Sequence, residues 1–350
     1  MKKGIILLIF LILGIILFVF TLKQVGLIGI VESLVLLSFW ELLLVVIAIF
    51  MSLVGIGTLK WLVILGVSWK KFWPLFIGKW VGFSISHVTP AALLGGEPAR
   101  FLITKNETDI DSNKIVSSII LEKVSTFLIF MTFFFIGLFL ILIYIDLAWL
   151  SQLIGILIIV GAVILSWKLI RSIKKISNNG GFFDFIIKKL RLNKLKVIRN
   201  NMAKMDEVEN EIKIFFKEHK DRVFKLFIFT LLEVTLVFFS YWLIMHFSGI
   251  NLSISKLIAI RTTVDASYNL TPIPAGLGVL EILQAYVFKG IGLTLASGVA
   301  FSLIFRGSNL LIALIGISIF AWMQVKYWIR QLLNKTEQFI IKYTNGKNNH

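Results

Sequence analysis

The chain contains no cysteine. Disulfides, thiolate metal sites and a cysteine nucleophile are thereby excluded. Acidic residues are scarce: 19 Asp and Glu against 36 Lys and Arg leave a formal charge of +17. Charged residues of both signs fill only 16% of the 350 positions, and prolines number five. No GxxxxGK[ST] stretch occurs, so nothing here reads as a phosphate loop for ATP. His87 and His246 stand far apart without metal-ligand spacing. Neither a metal nor any other cofactor is implied.

Apolar residues take the vacant share. They make up 58% of the chain, with 31 Phe and 10 Trp, and the mean hydropathy is +0.91. Soluble domains lie nearer about 45–50% apolar. One core cannot hide the excess, so lipid must solvate it. Six runs, at roughly 4–22, 41–66, 115–145, 149–168, 225–248 and 298–325, reach the ~20 apolar residues that a spanning helix needs. Met1-Lys2-Lys3 before the first run imitates a signal peptide. Lys23-Gln24-Val25-Gly26 supplies no small-residue cleavage pattern after it, so the run reads as a span. Two further runs, about 74–94 and 257–290, are broken by Pro and Gly.

Basic residues set the orientation, because cytoplasmic loops are enriched in them. With Met1 inside, the second span returns to Lys70-Lys71. The loop 168–225 holds 16 Lys and Arg and belongs inside as well. Spans three and four must then leave from and return to the cytoplasm. The run 74–94 begins and ends inside, and by the same logic 257–290 begins and ends outside. This assignment puts 28 Lys and Arg in cytoplasmic pieces and three, Lys23, Lys256 and Lys289, outside. The expected fold class is an all-α polytopic membrane protein, with six spanning helices and two re-entrant hairpins. If the hairpins cross instead, the count is eight spans. Both termini are expected in the cytoplasm of a cell-membrane protein. One membrane domain covers 1–330, followed by a basic tail, 326–350.

The broken runs resemble each other. Thr89-Pro90-Ala91-Ala92-Leu93-Leu94-Gly95-Gly96-Glu97 parallels Thr271-Pro272-Ile273-Pro274-Ala275-Gly276-Leu277-Gly278-Val279-Leu280-Glu281. A base stands ten residues before each Thr, Lys79 and Arg261. A charge stands 25 residues after each Glu, Glu122 (beside Lys123) and Arg306. With the orientation above, residues 1–148 and 149–325 form an inverted-topology repeat, a plan whose binding sites lie near the midplane. Proline breaks a helix and glycine permits tight backbone. Non-helical backbone at membrane depth is tolerated only inside protein or beside a wet cavity. The breaks therefore predict a polar cavity, unless they merely kink ordinary spans.

Charges at membrane depth cluster around these breaks: Lys79, Glu97, Glu122, Lys123, Arg261, Asp265, Glu281 and Arg306, with Arg100 just beyond the first. Each costs roughly 2.5–3.5 kcal/mol at the bilayer centre, so pairing around a hydrated site is expected. Lys79, Arg261 and Arg306 can hold a lipid phosphate, and Glu97, Glu122 and Glu281 can pair with bases, hold an amino group or carry a proton. The plainer reading is structural ion pairing. Lys60 and Glu233 are weaker candidates, because Lys60 can snorkel to the interface. His87 is a minor cavity candidate, and Asp109 and Asp111 read as solvated loop. Gly78 and Gly82 form a small-xxx-small pair suited to helix packing.

The loop 168–225 mixes bases with aromatics. Residues 182–191 suit an amphipathic interfacial helix. Residues 203–223 place Met205, Val208, Ile212 and Phe215 on one face. The expected role is a connector lying on anionic lipid. No nucleic-acid motif accompanies the charge.

The set Thr89-Pro90…Gly95-Gly96-Glu97-Pro98-Ala99-Arg100, Glu122-Lys123 and Thr271-Pro272-Ile273-Pro274-Ala275-Gly276-Leu277-Gly278…Glu281 resembles the membrane domain of lysylphosphatidylglycerol synthases, over about residues 1–330. The same domain occurs alone in flippase-like membrane proteins. Lys123 stands where that family usually has Arg. The resemblance implies that Thr89, Pro90, Arg100, Thr271, Pro272, Pro274, Gly276 and Gly278 belong to the substrate site with the charges above. It implies movement of a phospholipid such as (lysyl)phosphatidylglycerol or another anionic lipid, and resistance to cationic antimicrobial peptides. In two-domain members a separate soluble domain transfers lysine from lysyl-tRNA, and that domain is not expected here. Three readings follow: a lipid translocase; a lysyltransferase-type or other membrane transferase; and a partner that recruits a synthase through loop 168–225. Membrane phospholipid is the expected partner in each, and the oligomeric state is open.

Overall fold

The computed structural model describes residues 2–89, 95–144, 202–269, 271, 273 and 276–347, with isolated positions between 155 and 171. Every regular element among the described residues is helical. In chain order they are α1 (Lys2–Val25), α2 (Leu27–Val35), α3 (Phe39–Leu65), α4 (Phe72–Val88), α5 (Glu97–Glu107), α6 (Ser112–Tyr144), α7 (Met202–Glu218), α8 (Lys220–Phe247), α9 (Ile254–Asn269), α10 (Val279–Gly290) and α11 (Leu295–Lys347).

Four of these, α3, α6, α8 and the first part of α11 (Leu295–Val325), are long and apolar enough to cross a membrane. A fifth candidate is the end of α1 with α2, bent by 88° at Gly26, whose φ of 89° suits glycine alone. The predicted first span coincides with α1, which is 24 residues long. The predicted fourth span, 149–168, lies outside the described residues apart from isolated positions. The chain is thus a multi-pass, all-helical membrane-type protein.

The surface shows why lipid is the right solvent. Ile16, Phe20, Leu44, Ile47, Leu232 and Ile315 face outward, while Lys60, Thr104, Ser240, Glu281, Gln284 and Ser302 are buried. In lipid there is no hydrophobic gain from turning Leu inward, so packing and polar contacts hold the helices together. The largest core joins α3, α8, α9, α10 and α11 through Val45, Ile49, Ile244, Ile260, Phe288 and Phe301. Tyr241 contributes edge-to-face contacts with Phe301 and Phe305 at 5.5 and 5.2 Å.

Local chemistry fixes the element ends. Ser38 and Glu41 form a reciprocal capping box at the start of α3. Within α3, Met51–Ile56 widens into a π-turn. Asp111 Oδ2 accepts the Asn113 amide at 2.8 Å as α6 begins. Asp109 pairs with Lys71 across the loop, and that contact holds its carboxyl below the usual range.

Three sequence readings need correction. The first broken run does not stop at 94, because its second limb is α5, which ends at Glu107. That limb is too polar to register as an apolar run; its signal was a helix start, Glu97 and Pro98 in the first turn. Lys60 does not snorkel: it is fully buried and paired with Glu233. Helix α7 does not rest its apolar face on lipid. Val208 and Phe215 are buried, and Phe215 and Ile212 pack on Ile64, Leu121 and Leu226, because those apolar side chains offer a better-packed surface than the lipid headgroup layer. Residues 182–191 lie outside the described residues.

Candidate functional site

The first broken pair, α4 and α5, packs back to back. Gly78 and Gly82 face α5, where an added Cβ would meet Thr104 Oγ1 at 3.0 Å or Arg100 Cβ at 3.1 Å. Gly96 lies closer still: a Cβ there would fall 1.7 Å from the Gly82 carbonyl oxygen. The Gly96 amide donates to Ser86 Oγ at 3.0 Å. Glycines therefore bring α5 against α4 and turn Arg100 and Glu97 inward. Between 89 and 95, residues 90–94, including Pro90, lie outside the described residues. The Thr89 hydroxyl is buried without a hydrogen-bond partner.

These elements assemble a ladder of charge. Glu122 on α6 receives Lys79 Nζ on one oxygen and Arg100 Nη2 on the other. Arg100 Nη1 lies 3.4 Å from Glu97, whose second oxygen holds Lys123 Nζ at 2.6 Å. The Arg100 guanidinium stacks over Trp61, 3.5 Å from the ring centroid, and Trp61 Nε1 donates to Ser118 Oγ at 2.7 Å. Lys79 reaches Glu122 by passing over Gly57, where a Cβ would meet its Cε at 2.6 Å. Beside this ladder Lys60 joins Glu233 and donates to Thr126 Oγ1 at 3.2 Å.

A cavity of about 640 Å³ runs along the ladder, walled by α3, α4, α5, α6, α8, α9 and α11. Its opposite wall carries Arg261 and Asp265 of α9, 3.0 Å apart from Nε to Oδ2. Arg261 is only 8% exposed, and among the described residues its Nη1 has no acceptor. Phe238 and Phe133 flank that guanidinium at 5.3 and 5.7 Å. Phe83, Phe127, Phe130 and Phe305 make much of the remaining wall apolar. Such a chamber, apolar with a few convergent polar groups, is the form that ligand sites take.

The second broken pair, α9 and α10, builds something different. Arg306 of α11 grips Glu281 at 2.5 and 3.0 Å and donates to the Gly276 carbonyl oxygen at 3.0 Å. Glu281 also accepts the Gly278 amide at 2.8 Å, capping α10. Gly276 and Gly278 have φ of 60° and 78°, a left-handed turn suited to glycine. Thr271 Oγ1 donates to the Ser267 carbonyl. Pro272 and Pro274 lie outside the described residues.

The predicted residues thus fall into two groups. Lys79, Glu97, Arg100, Glu122, Lys123, Arg261 and Asp265 share the cavity wall. Glu281, Arg306, Gly276 and Gly278 form a cluster that does not line it. Sequence reasoning missed Trp61, Tyr241, Tyr268 and Asn309. A Trp or Tyr in an apolar run looks like any core aromatic, and Asn309 carries no charge to draw notice. His87, a minor candidate, does line the cavity, with Nδ1 3.1 Å from the Phe83 carbonyl oxygen. Among the described residues no cluster of His, Cys, Asp and Glu suits a metal ion.

Residues 5–316 fit the family model described as the lysylphosphatidylglycerol synthase TM region. No curated protein and no solved structure matches the chain.

Proposed function

The chain belongs to the lysylphosphatidylglycerol synthase TM-region family, and from that premise we propose that it moves phospholipid across the membrane, passing the headgroup through the central cavity while the acyl chains stay in lipid. One observation carries this reading: the guanidinium of Arg261, ion-paired with Asp265 in the wall of a cavity inside an apolar bundle, keeps a buried Nη1 without an acceptor among the described residues. A buried donor without an acceptor costs about 1–3 kcal/mol, more when charged, and a phosphate oxygen supplies what is missing. Lys79 Nζ and Arg100 Nη2 are both held by the one carboxylate of Glu122.

In this reading α4–α5 and α9–α10 are re-entrant hairpins dipping from opposite faces, the halves are inverted repeats, and both termini are cytoplasmic. Motion is downhill or coupled to an ion. Two experiments test it. Purified protein in phosphatidylcholine vesicles should carry acyl-chain-labelled phosphatidylglycerol between leaflets, read by dithionite quenching. Arg261→Gln should slow this at least about tenfold, the effect of losing a charge-assisted hydrogen bond. An unchanged rate removes the site. Because the chain has no cysteine, single cysteines at Lys105 and Lys289, both exposed, report sidedness to an impermeant maleimide. Labelling from the same side overturns the hairpin arrangement.

A further inference from the structure

The cavity has a charge preference of its own. The ion pairs on and against its wall involve four carboxylates, Glu97, Glu122, Glu233 and Asp265, and five bases: Lys60, Lys79, Lys123, Arg100 and Arg261. Every carboxylate already stands against at least one base, and one positive charge is left over. In an apolar bundle an uncompensated charge is expensive, so a bound group carrying one negative charge is favoured. An ammonium group finds no free carboxylate among the described residues and adds to the excess.

Beyond Arg261 the wall becomes polar without charge. Asn309 is 1% exposed and donates Nδ2 to the Phe305 carbonyl at 2.9 Å, leaving Oδ1 without a partner. The Tyr268 hydroxyl is likewise buried and lies beside the Arg306 guanidinium, with its own proton free to donate. Its ring lies 5.7 Å from that of His87 and 6.2 Å from that of Phe305. Arg261 and Tyr268 stand seven positions apart on α9, about 10 Å along the axis. That span suits a phosphodiester followed by a short chain of hydroxyls, which both donate to Asn309 Oδ1 and accept from Tyr268.

We infer that this cavity selects an anionic phosphodiester headgroup bearing free hydroxyls, and rejects the same headgroup once an amino acid has been esterified to it. The inference rests on the transport reading above but names its substrate class: unmodified polyol phospholipid, not the lysyl form. The phosphate sits on Arg261 and the hydroxyls on Asn309 and Tyr268.

The test compares two lipids in phosphatidylcholine vesicles holding the purified protein: acyl-chain-labelled phosphatidylglycerol and its lysyl ester, both read by dithionite quenching. Phosphatidylglycerol should cross at least about tenfold faster, and Asn309→Leu and Tyr268→Phe should each lower its rate about three- to tenfold. Equal rates, or a faster lysyl ester, overturn the inference. If neither lipid moves, the transport reading fails, and the site is then judged by thermal melting in detergent. Phosphatidylglycerol should raise the melting temperature, its lysyl ester should not, and Asn309→Leu should abolish the shift. Equal shifts for the two lipids refute the selectivity.

Discussion

The two broken helix pairs look alike in sequence and are held together by different means. In the first, Glu97 faces the cavity and touches Lys123 and Arg100, while the charge 25 positions later, Glu122, gathers two bases from two other helices. In the second, Glu281 is fully buried, caps its own helix and meets the charge 25 positions later, Arg306, directly. The sign differs at one matched position, Glu122 against Arg306, while Glu97 matches Glu281 and Lys79 matches Arg261. The first pair closes by glycine contact, Gly82 against Gly96; the second closes by an ion pair clasping a left-handed turn. Matched spacing therefore does not show common work. One half supplies an adjustable charged wall, the other a fixed strut.

This difference can be broken from its strongest side first. Arg306→Gln leaves the Glu281 carboxylate buried and unpaired, a loss of about 3–5 kcal/mol. The melting temperature in detergent should fall sharply, and changing both residues to Met should recover most of it. A drop no larger than that of a surface change would show that the strut is not the pair. Next, Gly96→Ala forces a Cβ onto the Gly82 carbonyl and should cost about 1–3 kcal/mol by overpacking. Gly276→Ala, opposed by backbone conformation, should cost about 1–2 kcal/mol. The same melting series ranks them.

Weaker still is Lys123→Gln. Its side chain is 36% exposed, and a partly solvated pair contributes less than about 1 kcal/mol. The smallest effect belongs to Asp109, whose carboxyl is held low chiefly by its hydrogen bond from Lys71. A carboxyl with a lowered folded pKa stabilises the fold above its ordinary pKa and loses that contribution as pH falls through the folded value. Asp109 is 85% exposed, so Asp109→Asn should leave the melting temperature at neutral pH unchanged and slightly flatten its decline in acid. A marked loss at neutral pH would place this loop contact among the supports of the first broken pair.

Composition and run length made much of the fold legible. The apolar runs at 41–66, 115–145 and 225–248 match α3, α6 and α8 within a few residues, because solvation by lipid demands a continuous apolar stretch. The breaks were legible as well, since proline and glycine act locally. Pairing was not. Lys60 and Glu233 are 173 positions apart, and each looked isolated in its own run. Arg306 resembled a cavity base until packing placed it beside Glu281. Periodicity says which face a side chain occupies, but its partner depends on helices that meet only in three dimensions. Helix α5 escaped notice for a related reason: its inner face packs on protein through Ala99, Arg100, Ile103 and Thr104, its end at Lys105, Asn106 and Glu107 is exposed, and neither needs a continuous apolar run.

The widened turn at Met51–Ile56 sets the phase of everything after it in α3. A π-turn accommodates one residue more than the regular spiral, and one residue is worth about 100° of rotation. Before it, Val45 and Ile49 point into the large core; after it, Trp61 cradles Arg100 and Lys60 meets Glu233. Winding the same six residues as regular α-helix, with none removed, would swing both side chains about a quarter-turn from their partners. The helix carries two independent faces end to end, and six residues of loosened coil are the joint that keeps each aimed at its own neighbours.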